Sequence, residues 1–286
     1  MDDMSSENDI SEKSQKTAAH SNRIPAAAAR ALFPGVEEIG LIAVEAHGLG
    51  FSPETLPILY PYEQFVLAAV TRWRAPRAVL EIGTGQGRST RVLAANSPAN
   101  ALVVTVDLPS EARGEYSRSC LHGDMEVGRR FANDAAAGAR IHQILCDSRQ
   151  LNPAALREAY GEMDLILVDG DHGYDAVRAD TELALALAGP NTIILWHDFY
   201  TFPDYIAEGP VKRGVYPALN ELAATGRIAL RHIIGTYYVA GCGAWTSATP
   251  GKPAGTGAPA GGPFGQGIVR LAASMGAIEA RNREGK

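Results

Sequence analysis

The chain has 286 residues, 46% of them hydrophobic and 20% charged, and its 26 Lys and Arg against 32 Asp and Glu give a formal net charge of −6. That length supports one large domain or two small ones, with ample material for a core. The acidic balance, without any run of five or six like charges, excludes a general nucleic-acid binder, which needs a concentrated basic face.

Residues 1 to about 24 are rich in Ser, Glu, Asp, Lys and Asn and carry too little apolar surface to order themselves, so a disordered tail is expected there. No apolar region follows a basic start, and the apolar stretches are interrupted well short of a membrane span. Cys120, Cys146 and Cys242 are odd in number and widely spaced, which suits a reducing compartment rather than a disulfide framework. A cytoplasmic protein with no membrane partner is the expectation.

Phe65, Val66, Ala69, Val70 and Trp73 recur at helical spacing after Pro61. Arg77 to Ile82 then reads as a buried strand, Ser89 to Ala95 as a helix, and Leu102 to Val106 as a second strand. Met125 to Ala135 is an expected helix, Ile141 to Leu145 a strand, Pro153 to Tyr160 a helix, and Leu165 to Val168 a strand. Tyr174 to Leu187 follows as a helix and Thr192 to Trp196 as the fifth strand. Such alternation predicts an α/β fold: a doubly wound, mostly parallel, Rossmann-like sheet covered on both faces. Ile228 to Ile233 and Thr236 to Ala240 flank Gly235 and predict a terminal antiparallel pair on the sheet edge. The expected domain spans residues 25–246. A Gly/Pro-rich flexible linker (247–267) and a C-terminal helix or tail (268–286), which could pair with a second copy, follow it.

The most informative segment is Val79-Leu80-Glu81-Ile82-Gly83-Thr84-Gly85-Gln86-Gly87-Arg88-Ser89-Thr90, a strand that enters three alternating glycines and then a helix. Glycine lacks a Cβ and tolerates positive φ, so the backbone can approach a ligand closely, and the helix start offers free N–H groups. A dinucleotide loop of the G-x-G-x-x-G type needs its third glycine at 88, where this chain has Arg. Acids follow the neighbouring strands: Asp107, Asp147 with Ser148, and Asp169. In open α/β sheets ligands sit outside the carboxyl ends of the strands, so these residues converge on one crevice. A carboxylate at Asp107 can accept both hydroxyl hydrogens of a ribose.

Glu81 through Gly87 resembles the first motif of the class I S-adenosylmethionine-dependent methyltransferases. The resemblance implies that Glu81, Gly83, Thr84, Gly85, Gly87 and Ser89 form the cofactor loop. It implies that Asp107 holds the ribose, that Asp147 and Ser148 read the adenine, and that Asp169 closes the site.

A second rich segment, Val168-Asp169-Gly170-Asp171-His172-Gly173-Tyr174, is answered by Trp196-His197-Asp198-Phe199. Asp169, His197 and Asp198 are candidate ligands for a divalent metal, and carboxylates with imidazole suit Mn²⁺, Fe²⁺ or Zn²⁺ at least as well as Mg²⁺. This pairing resembles the sugar O-methyltransferases of macrolide biosynthesis and, more distantly, the catechol and caffeoyl-CoA O-methyltransferases. Asp169 and Asp198 match the first and last metal ligands there, His197 departs from the pattern, and His172 matches a general base three residues after the first ligand. Asp171 reads as a cap for the helix beginning near Gly173.

The expected function is methyl transfer from S-adenosylmethionine to a hydroxyl of a small molecule (a sugar, a catechol-like or another natural-product acceptor) assisted by a divalent metal. A nicotinamide-dependent oxidoreductase on the same sheet, a cofactor-binding protein without methyl transfer, and N-methylation are the alternatives. Ala43 to Tyr62 and Tyr200 to Tyr216 are expected to shape the acceptor pocket.

Overall fold

Runs such as Ala78-Val-Leu-Glu-Ile82 and Met163-Asp-Leu-Ile-Leu-Val168 carry apolar side chains on both faces, the pattern of a strand buried between two layers of helices. The computed structural model describes residues 23–36, 61–112, 126–132, 139–199 and 214–245. In chain order the elements are β1 (Ala26–Ala27), α1 (Ala29–Leu32), α2 (Pro61–Arg74), β2 (Ala78–Ile82), α3 (Arg88–Asn96), β3 (Leu102–Asp107) and α4 (Arg129–Ala132). There follow β4 (Ile141–Leu145), α5 (Pro153–Tyr160), β5 (Met163–Val168), α6 (Tyr174–Leu187), β6 (Ala188–Trp196), α7 (Val215–Thr225), β7 (Ala229–Ile233) and β8 (Val239–Cys242). No helix among the described residues is long and apolar enough to cross a membrane.

The strands form one sheet in the order β1-β7-β8-β6-β5-β2-β3-β4. Strands β2 to β6 are parallel to one another, and β8 runs antiparallel between β6 and β7. The terminal antiparallel pair is therefore present, but it does not form the edge: β1 caps it in parallel, pairing Ala26 and Ala27 with His232 and Ile233. Two apolar layers cover the sheet. Leu80, Ile166, Ile194 and Trp196 face α6 and α7, whereas Val79, Leu165, Leu167 and Leu195 face α2 and α3. Each fully buried Leu or Ile contributes about 1.5–3 kcal/mol by leaving water.

Arg23 donates its backbone N–H to Asn220 and Ile24 is buried in the core, so the domain already includes both. Of the helix expected over Met125 to Ala135, residues 126–132 are described: Glu126 to Gly128 are not helical, Gly128 having φ +74°, and α4 begins only at Arg129. Residues 1–22, the linker at 247–267, the C-terminal segment, Cys120, most of Ala43 to Tyr62 and residues 200–213 lie outside the described residues.

Candidate active site

Register brings the strand ends into line. Ile82 pairs with Val106 and Val168, and Val168 pairs with Trp196. Gly83, Asp107, Asp169 and His197 are the residues at or just beyond these ends. Backbone bonds continue past them: Gly83 N–H donates to Val106 O at 2.8 Å, Asp169 N–H to Ile82 O at 2.8 Å, and His197 N–H to Val168 O at 3.1 Å. Strand order reverses between β2 and β5, so the crevice of a doubly wound sheet opens beside Gly83 and Asp169. The two segments touch there. A Cβ on Gly83, whose φ is +102°, would lie 2.0 Å from the Asp169 carbonyl oxygen. Glycine is required at 83 by both conformation and space.

The loop beyond Gly83 is braced from below and from the side. Glu81 is fully buried, and its Oε2 accepts the hydroxyls of Thr90 at 2.5 Å and Thr105 at 2.6 Å. Because Thr105 spends its proton on Glu81, Thr84 is the donor in the 2.6 Å bond between the two threonine hydroxyls. The Oε1 of Glu81 has no hydrogen-bond partner. Burial pushes the Glu81 carboxyl up to about 7, against the pull of Ser89, Thr105 and Thr90. At the side, Gly128 N–H donates to Gly85 O at 2.9 Å and Arg130 N–H to Gln86 O at 3.1 Å. The Phe131 ring occupies the space a Cβ on Gly87 would need.

Asp107 ends β3 half-buried, and its Oδ2 accepts the Gly85 N–H at 2.7 Å, tying the acid to the glycine loop. Asp147 caps the turn Ser148–Gln150 and pairs with Arg149, which holds its carboxyl below the usual carboxylate range. Ser148 donates to Asp180 Oδ1 at 2.5 Å, and burial pushes Asp180 up to about 6. Asp171 accepts the Gly173 N–H at 2.7 Å in a local turn ahead of α6; Gly173 itself is the N-cap and the helix has no side-chain cap, so Asp171 does not cap it as expected.

The acid and histidine residues form one cluster. His172 Nε2 is 2.8 Å from Asp198 Oδ2. His197 Nδ1 is 3.2 Å from Asp169 Oδ1 and 3.3 Å from Asp198 Oδ2. Its Nε2 is 3.1 Å from Glu63 Oε2, close enough for charge attraction but not aligned as a hydrogen bond. The Tyr238 ring leans on the His197 ring with centroids 4.8 Å apart. Asp198 has φ +58°, a left-handed conformation uncommon outside glycine and best tolerated by Asp and Asn. Local strain of this kind collects at functional sites.

Charge pushes these groups apart. Burial would raise Asp198, but His197 and His172 hold it well below the usual carboxylate range. Burial raises Asp169; His197 opposes the rise and Asp198 adds to it. Burial would lower both histidines, but the carboxylates outweigh it: Asp198 raises His172, and Asp198 with Asp169 holds His197 well above the usual imidazole range.

Among the described residues, Asp169, His172 and Asp198 each offer one donor atom, all within 4.8 Å of one another, and so make up a set that could hold a metal ion. His197, expected as a third ligand, is buried, with Nδ1 toward Asp169 and Asp198 and Nε2 toward Glu63 on α2. Glu63 was missed by sequence reading. Its signal was a carboxylate at a core position of α2, one turn before Leu67 on the stripe continued by Val70 and Arg74.

Residues 80–199, from β2 through the His197-Asp198-Phe199 segment, match a family model described as a methyltransferase domain. No curated protein matches the chain significantly. Among solved structures, the fold is similar to that of a protein provisionally named a caffeoyl-CoA O-methyltransferase from Staphylococcus aureus. Identity to it is 13%, the match covers 65% of this chain and 84% of that one, and the TM-score is 0.50. An O-methyltransferase from Bacillus cereus, in complex with SAH, matches at 21% identity over 64% of this chain and 82% of that one, with a TM-score of 0.46. TomG, an O-methyltransferase from Streptomyces achromogenes involved in tomaymycin synthesis and in complex with SAM, matches at 18% identity over 80% and 95% of the two chains, also with a TM-score of 0.46.

Proposed function

We propose that the methyltransferase domain of this chain transfers a methyl group from S-adenosylmethionine to a hydroxyl of a small molecule, with a divalent metal ion beside the acceptor. The observation that carries the reading is the contact between Gly83 and Asp169: the glycine loop and the acid–histidine cluster share one crevice edge. A cofactor held by the loop therefore has its reactive end next to groups able to handle a hydroxyl proton.

The residues fit both bound groups. The positive φ of Gly83, Gly85 and Gly87 turns the loop ahead of α3, and Asp107 beside it offers a carboxylate suited to ribose hydroxyls. When bound, S-adenosylmethionine supplies an electrophilic methyl on a sulfonium, so the protein mainly orients the acceptor oxygen in line with it. Asp169 and Asp198 are the ligands we assign to the metal, which when bound would acidify the acceptor hydroxyl and fix its orientation. Asp198 orients His172 through Nε2, leaving Nδ1 as the ring position that takes the acceptor proton. Removal of that proton would leave the acceptor oxygen free to displace the sulfur from the methyl carbon of a bound cofactor. A second reading, in which His172 is a third metal ligand, is favoured by the close grouping of its donor atom with Asp169 and Asp198.

The test is formation of the demethylated cofactor in the presence of hydroxylated acceptors such as sugars and catechols, with and without chelator. Turnover that chelator stops and added Mn²⁺ or Mg²⁺ restores is the expected result. Full turnover in excess chelator removes the metal. Tight NAD binding with none for S-adenosylmethionine removes the methyltransferase reading.

A further inference from the structure

Glu63 is only 2% exposed, on the face of α2 that packs against the sheet. A carboxylate in that position is costly unless it is paired, and an apolar side chain would pack there without the cost. The residue meets two partners. Its Oε1 accepts the Tyr237 backbone N–H at 2.8 Å, and its Oε2 lies 3.1 Å from His197 Nε2.

Both partners lead to Asp198. Through the ring, the far nitrogen of His197 stands between Asp169 Oδ1 and Asp198 Oδ2, at 3.2 and 3.3 Å. Through the backbone, the Tyr237 carbonyl accepts the Phe199 N–H at 3.0 Å, immediately after the left-handed Asp198. Glu63 thus joins the ring that separates two like-charged carboxylates to the chain segment that holds one of them. The Tyr238 ring, just before β8, packs on the same imidazole.

We propose that Glu63 and His197 form a buried positioning pair that sets the separation and orientation of Asp169 and Asp198 for cation binding. This rests on the metal reading above. Partners behind metal ligands fix ligand orientation, and their loss typically weakens metal affinity by about 10- to 100-fold. Glu63→Gln keeps the shape of the side chain and a carbonyl for the Tyr237 N–H, but removes the charge facing His197.

The experiment is calorimetric titration of the full chain with Mn²⁺, checked by the electron paramagnetic resonance of free Mn²⁺. S-adenosylhomocysteine affinity and thermal unfolding are measured on the same samples. The expected result is Mn²⁺ binding weakened roughly 10- to 100-fold in Glu63→Gln, with S-adenosylhomocysteine affinity and the unfolding midpoint near wild type. A merely structural role would move the midpoint and both ligands together. Equal Mn²⁺ affinity in wild type and folded Glu63→Gln overturns the proposal while leaving the metal reading intact. Absence of Mn²⁺ binding in the wild type overturns both. If Glu63→Gln does not fold, His197→Asn decides. Its amide can retain an N–H near the Nδ1 position, so it should keep more Mn²⁺ affinity than His197→Ala, and equal affinities overturn the pair.

Discussion

Replacing Glu81 with Gln should change how the protein's stability depends on pH. The carboxyl is fully buried, accepts two threonine hydroxyls on one oxygen and leaves the other without a partner. Burial moves it from 4.5 to about 7 in the folded protein. The folded state therefore holds this proton more tightly than the unfolded chain does. That contribution favours folding below pH 4.5 and is lost as pH rises from 4.5 through about 7. At about 1.4 kcal/mol for each unit of displacement, the loss amounts to roughly 3 kcal/mol. The amide is close in shape to the protonated acid and places a donor at the same unpartnered position, so the two proteins should match in mildly acidic solution. Above neutrality the variant should be more stable by roughly 3 kcal/mol. Asp180, pushed up to about 6, contributes in the same direction to both proteins and cancels in the comparison. Urea unfolding of the ligand-free proteins at fixed ionic strength, from about pH 5 to about pH 8, gives the difference directly. A difference constant across that range would refute the argument that the glycine loop rests on a strained buried acid.

His172→Ala should lower turnover by roughly 10²–10⁴-fold with cofactor affinity unchanged, as steady-state kinetics paired with calorimetry would record. Asp169→Ala and Asp198→Ala should abolish metal-dependent turnover while sparing cofactor binding; retained chelator-sensitive activity in either would contradict the assigned ligands. Gly83→Ala forces a Cβ against the Asp169 carbonyl at a φ of +102° and should cost about 2–4 kcal/mol in denaturant unfolding.

Much of this architecture was legible because β2, β3 and β5 are short apolar runs that end at Gly83, Asp107 and Asp169. The helix over Tyr174–Leu187 appears with the bounds its periodicity predicts, and that over Pro153–Tyr160 begins where Asn152 accepts the N–H groups of Ala154 and Ala155. Two-residue β1 was not legible, since Ala26 and Ala27 carry no strand signal and pair only because β7 presents an open edge. The cluster was legible in membership but not in arrangement. His197 follows Trp196, so strand alternation turns its ring to the Leu195 face, which α2 covers, and there it meets Glu63. His172 lies past the end of β5 in a loop, where spacing alone does not reveal that its ring returns to Asp198. Gly214 marks a similar limit: its N–H donates to the His172 carbonyl and a Cβ there would strike Tyr174, a contact that no local pattern announces.

Calorimetric titration of wild type and Asp107→Ala with S-adenosylhomocysteine, and of wild type with NAD, tests whether the glycine loop and Asp107 bind S-adenosylmethionine. Saturable S-adenosylhomocysteine binding by the wild type is expected. Asp107→Ala should weaken it by about 1.5–3 kcal/mol, or roughly 10- to 150-fold, through loss of a charge-assisted hydrogen-bonding partner. Tight binding of NAD with no heat from S-adenosylhomocysteine, or an Asp107→Ala variant that binds S-adenosylhomocysteine as tightly as wild type, would contradict it.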